Sequence, residues 1–151
     1  MQDFAPPDEN FAIRVRESFS KQKMMQTLGA SLSKVLPGEV EISLEFQDAL
    51  TQQHGFLHAG VVATLADTAC GYAALSLMAP DAAVLTVEYK INLLSPAVGD
   101  LVIAHGRVTK PGRNITVCSG DVFASKDGEK KLVATMLATM MSIVGRGGLI
   151  G

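Results

Sequence analysis

A chain of 151 residues with 48% hydrophobic and 19% charged side chains is large enough for one unstapled core and too apolar to be disordered. A formal net charge of −2 excludes an electrostatic case for nucleic acid or an anionic membrane. Cys70 and Cys118 lie in apolar runs without CxxC spacing, which reads as buried free thiols in a reducing compartment.

Residues 1–8 read as a loose arm ending at Pro6-Pro7-Asp8, without the basic start and apolar run of a secretion signal. The chain is therefore expected in the cytoplasm. Phe11, Val15 and Phe19 recur at helical spacing. A second short helix holds Met24, Met25 and Leu28, with Gly29 as its C-cap. Pro37-Gly38 turns the chain into a first strand, where Val40, Ile42, Leu44 and Phe46 alternate with Glu41, Ser43, Glu45 and Gln47.

After the loop Asp48–Phe56, one helix is predicted from Ala59 to Met78, stopped by Pro80. It is apolar on nearly all sides, so protein should bury it. Its one charge is Asp67, and a buried carboxylate must be paired, hydrogen-bonded or kept for chemistry. In a bilayer that acid would cost about 2.5–3.5 kcal/mol at the midplane, so no membrane span is assigned. Ala59, Ala63, Asp67 and Gly71 repeat every four residues and share one face, where another backbone has room to dock.

Four strands follow. Leu85, Val87, Tyr89, Ile91 and Leu93 alternate with Thr86, Glu88, Lys90 and Asn92 before Ser95-Pro96. Leu101–Thr109 ends at the turn Lys110–Asn114, and Ile115–Ser125 at an Asp127-Gly128 hairpin. Leu132–Val144 is apolar at both parities, as in a strand buried on both faces. The tail Gly145–Gly148 reads as frayed. The expectation is one α+β domain over 1–151: a helical arm over 1–38 and a core over 39–144, with five antiparallel strands curled round one long helix.

Gly55, His58-Ala59-Gly60, Leu65-Ala66-Asp67, Thr86 and Ser95-Pro96-Ala97 together resemble the motif set of the PaaI-like (phenylacetate-degradation type) acyl-CoA thioesterases of the hotdog fold. The resemblance covers roughly residues 39–144. It departs from the family pattern at Gln52, where the family has Asn, and at Ala59, where it has Gly. Alanine keeps the backbone N–H that the family uses as an oxyanion donor, though it penalises a positive φ.

The resemblance implies hydrolysis of an acyl-CoA to a free acid and coenzyme A, with no cofactor beyond the coenzyme A of the substrate and no metal. Asp67 would act as general base or nucleophile, Ala59 N–H with Gly60 N–H as the oxyanion hole, and His58, Gln52 and Thr86 in support. Ala59 and Asp67 are eight residues apart on one helix, about 12 Å at 1.5 Å per residue. One chain cannot bring both to one carbonyl. A homodimer with two interfacial sites is therefore expected, with a tetramer left open.

Each assignment has a plainer counterpart. His58 serves equally as a helix-start residue, and Thr86 as an ordinary strand residue. His54 and His58 at i, i+4 suggest a metal only weakly, because Gly55 lies between them and no third ligand is near. His105 reads as packed or surface. Lys110, Arg113 and Asn114 are candidates for the coenzyme A phosphates, or a solvated turn. Met24 and Leu28 are candidates for the acyl pocket, or core. Sparse aromatics lean the acyl group towards aliphatic chains. The alternatives to hydrolysis are a non-catalytic acyl-CoA sensor and a 3-hydroxyacyl hydratase or dehydratase. An acid at position 67 argues against simple binding, and the His-Ala-Gly…Asp spacing against the hydratase.

Overall fold

The long apolar helix forms as α3, Ala59–Leu75, and hydrogen-bonded turns carry it on to Met78. The computed structural model describes residues 4–149. One antiparallel sheet curls around α3, built from β1 (Ser31–Leu36), β2 (Glu39–Glu45), β3 (Ala83–Leu93), β4 (Leu101–Lys110), β5 (Ile115–Lys126) and β6 (Glu129–Ile143). The strand order is β1-β2-β4-β5-β6-β3. Two short helices, α1 (Phe11–Ser20) and α2 (Lys23–Leu28), precede the sheet.

The sheet has six strands where the sequence suggested five, and residues 1–38 are not wholly helical. Ser31–Leu36 folds back on β2 through the Pro37-Gly38 turn. A register shift between Leu32 and Lys34 breaks its alternation, which is why the period of two was not visible there. The turn residues behave as their chemistry requires. Gly29 closes α2 in the left-handed region at φ +74. Asp127 (φ +50) and Gly128 (φ +84) form the two-residue hairpin between β5 and β6.

Small residues set how α3 meets the sheet. A Cβ on Gly106 of β4 would lie 2.3 Å from the Ala69 carbonyl carbon, and one on Gly120 of β5 would lie 2.9 Å from Cys70 Sγ. Ala66, Ala69, Cys70 and Ala73 are fully buried on that side. The row Ala59, Ala63, Asp67, Gly71 lies on the other, and none of its members is fully covered. Both cysteines are free and buried, and burial pushes the Cys118 thiol up to about 12, so neither is a nucleophile.

The carbonyl end of α3 is closed by Arg14 of α1. Its Nη1 donates to Ala79 O (2.6 Å), and its Nη2 to Leu75 O (2.7 Å) and Met78 O (3.0 Å). A cation at a helix C-terminus satisfies orphan carbonyls and complements the dipole.

Two apolar surfaces stay open. β6 was expected to be buried on both faces. Ala134, Met136, Ala138 and Met140 do face α3, but Leu137 on the outer face is 56% exposed. β3 is the sheet edge, paired only with β6, and its Tyr89 and Leu93 are 44% and 54% exposed. A long apolar edge strand is a pairing surface. No helix of the described residues is long and apolar enough to cross a membrane.

The close contact yields a stability prediction for urea unfolding. Gly106→Ala should cost about 1–3 kcal/mol, because backbone, not a flexible side chain, blocks the new methyl. Gly71→Ala, whose Cβ meets nothing within 4 Å, should gain about 0.5–1 kcal/mol from helix propensity alone.

Candidate active site

Asp67 stands half-buried at mid-α3 on the wall of a cavity of about 430 Å³. Thr86 Oγ1 donates to Asp67 Oδ1 at 2.8 Å. Burial raises the Asp67 carboxyl above its ordinary value, and the Thr86 bond opposes part of that rise.

Thr86 reaches the acid because β3 carries a bulge between Thr86 and Glu88. Thr86 opposes the fully buried Met140, and after the bulge Tyr89 opposes Ala138. Val87 is the extra residue, so Thr86 and Tyr89 share the inner face while Leu85 and Glu88 turn outward. Strict alternation, as read from the sequence, would have put Thr86 outside.

At the other end, His58 is the N-cap of α3, and its Nδ1 accepts the Gly60 N–H at 2.9 Å. A ring nitrogen that accepts carries no proton, so Nε2 is the nitrogen of this ring left to donate. The Gly60 N–H is thereby engaged. The Ala59 N–H, an orphan of the first turn, has no partner among the described residues. Ala59 is helical, and among the described residues only Asp127 combines a side chain with a positive φ. Alanine at 59 is therefore unstrained.

A second cavity, of about 330 Å³, is lined by Ala59, Gln52 and the Ser95-Pro96-Ala97 turn. The Leu57 N–H donates to Ala97 O (3.0 Å), fastening that turn to the start of the helix. Gln52 Oε1 accepts the His54 N–H, and Gly55, at φ +78, closes the same loop by donating to Gln52 O (3.0 Å). The two cavities share no lining residue. Within one chain, Asp67 with Thr86 and Ala59 with Gln52 thus lie in two separate cavities.

The remaining candidates divide. Met24 lines the Asp67 cavity, whereas Leu28 packs into the core beside Met25. Arg113 and Asn114 line a cavity of about 510 Å³ with Met78 at the far end of α3, and exposed Lys110 lies just before them. His54 Nε2 lies against Gln53 while His58 caps the helix, so the two do not converge on a common point. The acid–histidine cluster Glu39, Glu41 and His105 is on the outer face of the sheet. There the Lys34 ammonium, 2.6 Å from Glu39, already supplies the positive charge. The sequence reading missed Ser18, Gln22, Thr68 and Tyr72, which line the Asp67 cavity, and the returning tail at Gly148 and Leu149. The four-residue spacing of Thr64, Thr68 and Tyr72 was the available signal.

Comparison with known proteins agrees with this fold. The thioesterase superfamily profile (4HBT) matches residues 54–131, from the α3 loop to β6. A thioesterase family protein from Silicibacter pomeroyi is 52% identical, with a TM-score of 0.88 over 89% of this chain and 99% of its own. The Escherichia coli PaaI protein of the phenylacetic acid degradation operon shares the fold at 21% identity, with a TM-score of 0.81 over 90% of this chain and 95% of its own. A 1,4-dihydroxy-2-naphthoyl-CoA hydrolase from Listeria monocytogenes is 29% identical over 62% of this chain and 76% of its own length. The helix-in-sheet architecture, the matched span and the 52% identical relative place the chain in the thioesterase superfamily, with the hotdog fold.

Proposed function

We propose that the chain hydrolyses acyl-coenzyme A thioesters in a homodimer, each site joining the Asp67–Thr86 half of one copy to the Ala59 half of its partner. The carrying observation is that the free Ala59 N–H and the Thr86-held carboxylate line different cavities of one chain, about 12 Å apart along α3. Both can act on one carbonyl only across two chains. The open edge of β3 and its exposed Tyr89 and Leu93 supply the surface for a two-fold partner. Pairing there would also set the two α3 helices side by side.

The chemistry then follows from the parts. The thioester carbonyl oxygen points at the Ala59 N–H, where the helix dipole favours the negative charge that develops. As general base, Asp67 takes a proton from water while the water oxygen bonds to the carbonyl carbon. Collapse of the tetrahedral species breaks the C–S bond, and coenzyme A leaves as thiolate with a free acid behind it. Attack by Asp67 itself, through an anhydride that water then opens, uses the same groups. Thr86 holds the carboxylate in either route. Lys110, Arg113 and Asn114 serve the coenzyme A phosphates.

Thiol release from a panel of acyl-CoAs tests the role of the acid. Asp67→Asn should lower turnover by at least about 10²-fold with the assembly intact. Turnover unchanged in the variant would overturn this mechanism, and no thiol release from any acyl-CoA would overturn hydrolysis itself.

The raised Asp67 value sets the pH dependence. Only the ionised carboxylate acts, so the acid limb of kcat/KM should lie above the ordinary carboxylate range of about 3.9. The folded chain also keeps this proton to higher pH than the unfolded one, so stability falls as pH rises from the unfolded value through the raised one. Asp67→Asn should remove that fall, giving a Tm gain at neutral pH that vanishes in acid.

Shared sites predict complementation. Ala59→Pro deletes only the N–H at a first-turn position where proline is favoured, and His58, at φ −59 and ψ 136, already suits a following proline. Ala59→Pro and Asp67→Asn homodimers should each be inactive. Co-expressed, they should recover about a quarter of the parent rate, since half the dimers carry one intact site of two. No recovery would place both groups in one chain.

A further inference from the structure

We propose that Lys126, Lys130 and Lys131, where β5 turns into β6, hold nucleotide phosphates of the coenzyme A whose thioester lies in the Ala59 cavity of the same chain. The inference rests on the hydrolysis proposed above, which puts the thioester at Ala59.

The three lysines and Val98 line a concavity of about 700 Å³, a size that suits a small-molecule ligand. Two segments lead from it to the Ala59 cavity. On the turn after β3, Pro96 and Ala97 line the Ala59 cavity and Val98 the lysine one. On β6, Lys131 lines the lysine cavity, and Val133, two positions on and about 7 Å along the strand, lines the Ala59 cavity. The join is backbone packed on backbone. The Leu94 N–H donates to Val133 O (2.8 Å) and the Asp100 N–H to Ser125 O (2.8 Å). A Cβ on Gly99 would lie 2.3 Å from Ser125 O. A molecule leaving the Ala59 cavity along this turn meets the lysines next.

Those lysines are exposed, and none forms an ion pair among the described residues, although Asp127 and Glu129 share the rim. Arg14, Lys34 and Arg107, by contrast, are each paired with a carboxylate. Asp100, a further acid nearby, accepts the Asp127 N–H at its Oδ2 (3.3 Å), which turns it to the hairpin backbone. An ammonium on a flexible stem binds phosphate as a point charge, so three unpaired lysines around one concavity suit a phosphate-bearing group.

Lys110, Arg113 and Asn114 cannot serve the same Ala59 from within its own chain. Arg113 and Asn114 stand with Met78 beyond the far end of α3, and Ala59 to Leu75 alone spans about 24 Å. In the dimer they approach from the chain that supplies Asp67, and the hairpin from the chain that supplies Ala59. Coenzyme A carries phosphate at two separate points, the diphosphate and the ribose 3′-phosphate, so two anchors have two groups to hold.

The test compares kcat/KM for hexanoyl-CoA and for hexanoyl-N-acetylcysteamine, which lacks the phosphates. The triple variant Lys126→Ala, Lys130→Ala, Lys131→Ala, checked for an unchanged Tm, should lose about tenfold on the CoA ester, chiefly through KM, and less than about twofold on the other. Added salt should lower the parent's CoA-ester value more steeply than the variant's. In the complementing pair, the working Ala59 belongs to the Asp67→Asn chain. The triple substitution on that chain should lower the recovered rate at low hexanoyl-CoA, and on the Ala59→Pro chain it should not. Equal losses on both esters, no loss on the CoA ester, or the reverse chain dependence overturns the anchor and leaves hydrolysis standing. If no thioester turns over, hydrolysis fails on its own. Calorimetric binding of adenosine 3′,5′-bisphosphate to parent and triple variant then decides the anchor, equal affinities overturning it.

Discussion

The backbone of α3 rests directly on the sheet at Gly106 and nearly so at Gly120. That contact fixes the depth of the helix, and depth decides everything its open side can do. Ala66, Ala69, Cys70 and Ala73 are spent on the sheet, which leaves Asp67 and Gly71 on the opposite side, half-buried near the surface of the chain. A bulkier contact would lift the helix and expose the acid. Burial is what raises its carboxyl, so helix seating and acid strength are one variable.

The ends of α3 are managed differently, and the difference suits their roles. At the carbonyl end Arg14 satisfies three acceptors, so that end is closed and structural. At the amide end, His58 takes the Gly60 N–H and leaves that of Ala59 free. One end of the dipole is neutralised by the protein, and the other keeps an amide without a partner among the described residues.

Much of this was legible in the residues. The apolar rod with one acid, the alternating strands, the Gly29 cap and the Asp127-Gly128 hairpin each follow from local chemistry, and each formed where expected. The misses share a cause. β1 and the inner placement of Thr86 both depend on a register shift, and a shift is set by strand pairing rather than by the strand's own pattern. Leu137 reads as core by hydropathy but lies open, because an apolar run at both parities does not say which face of the strand packs on the helix. Leu28 reads as pocket or core with equal ease, and only packing sent it to the core. Tyr72 was passed over because a tyrosine in an apolar helix looks like filling.

The bulge at Val87 fixes a phase as well as a bend. Two strand positions oppose one there, so losing a single codon at that point would leave Thr86 opposite Met140 and every pair from Glu88 to Leu93 in place. Were Val87 instead drawn into the ladder opposite Met140, Thr86 would pass to the outer face, and Asp67 would lose the one side-chain donor it has among the described residues. A lineage could therefore drop the surplus residue without cost to this hydroxyl, but could not absorb it into the strand.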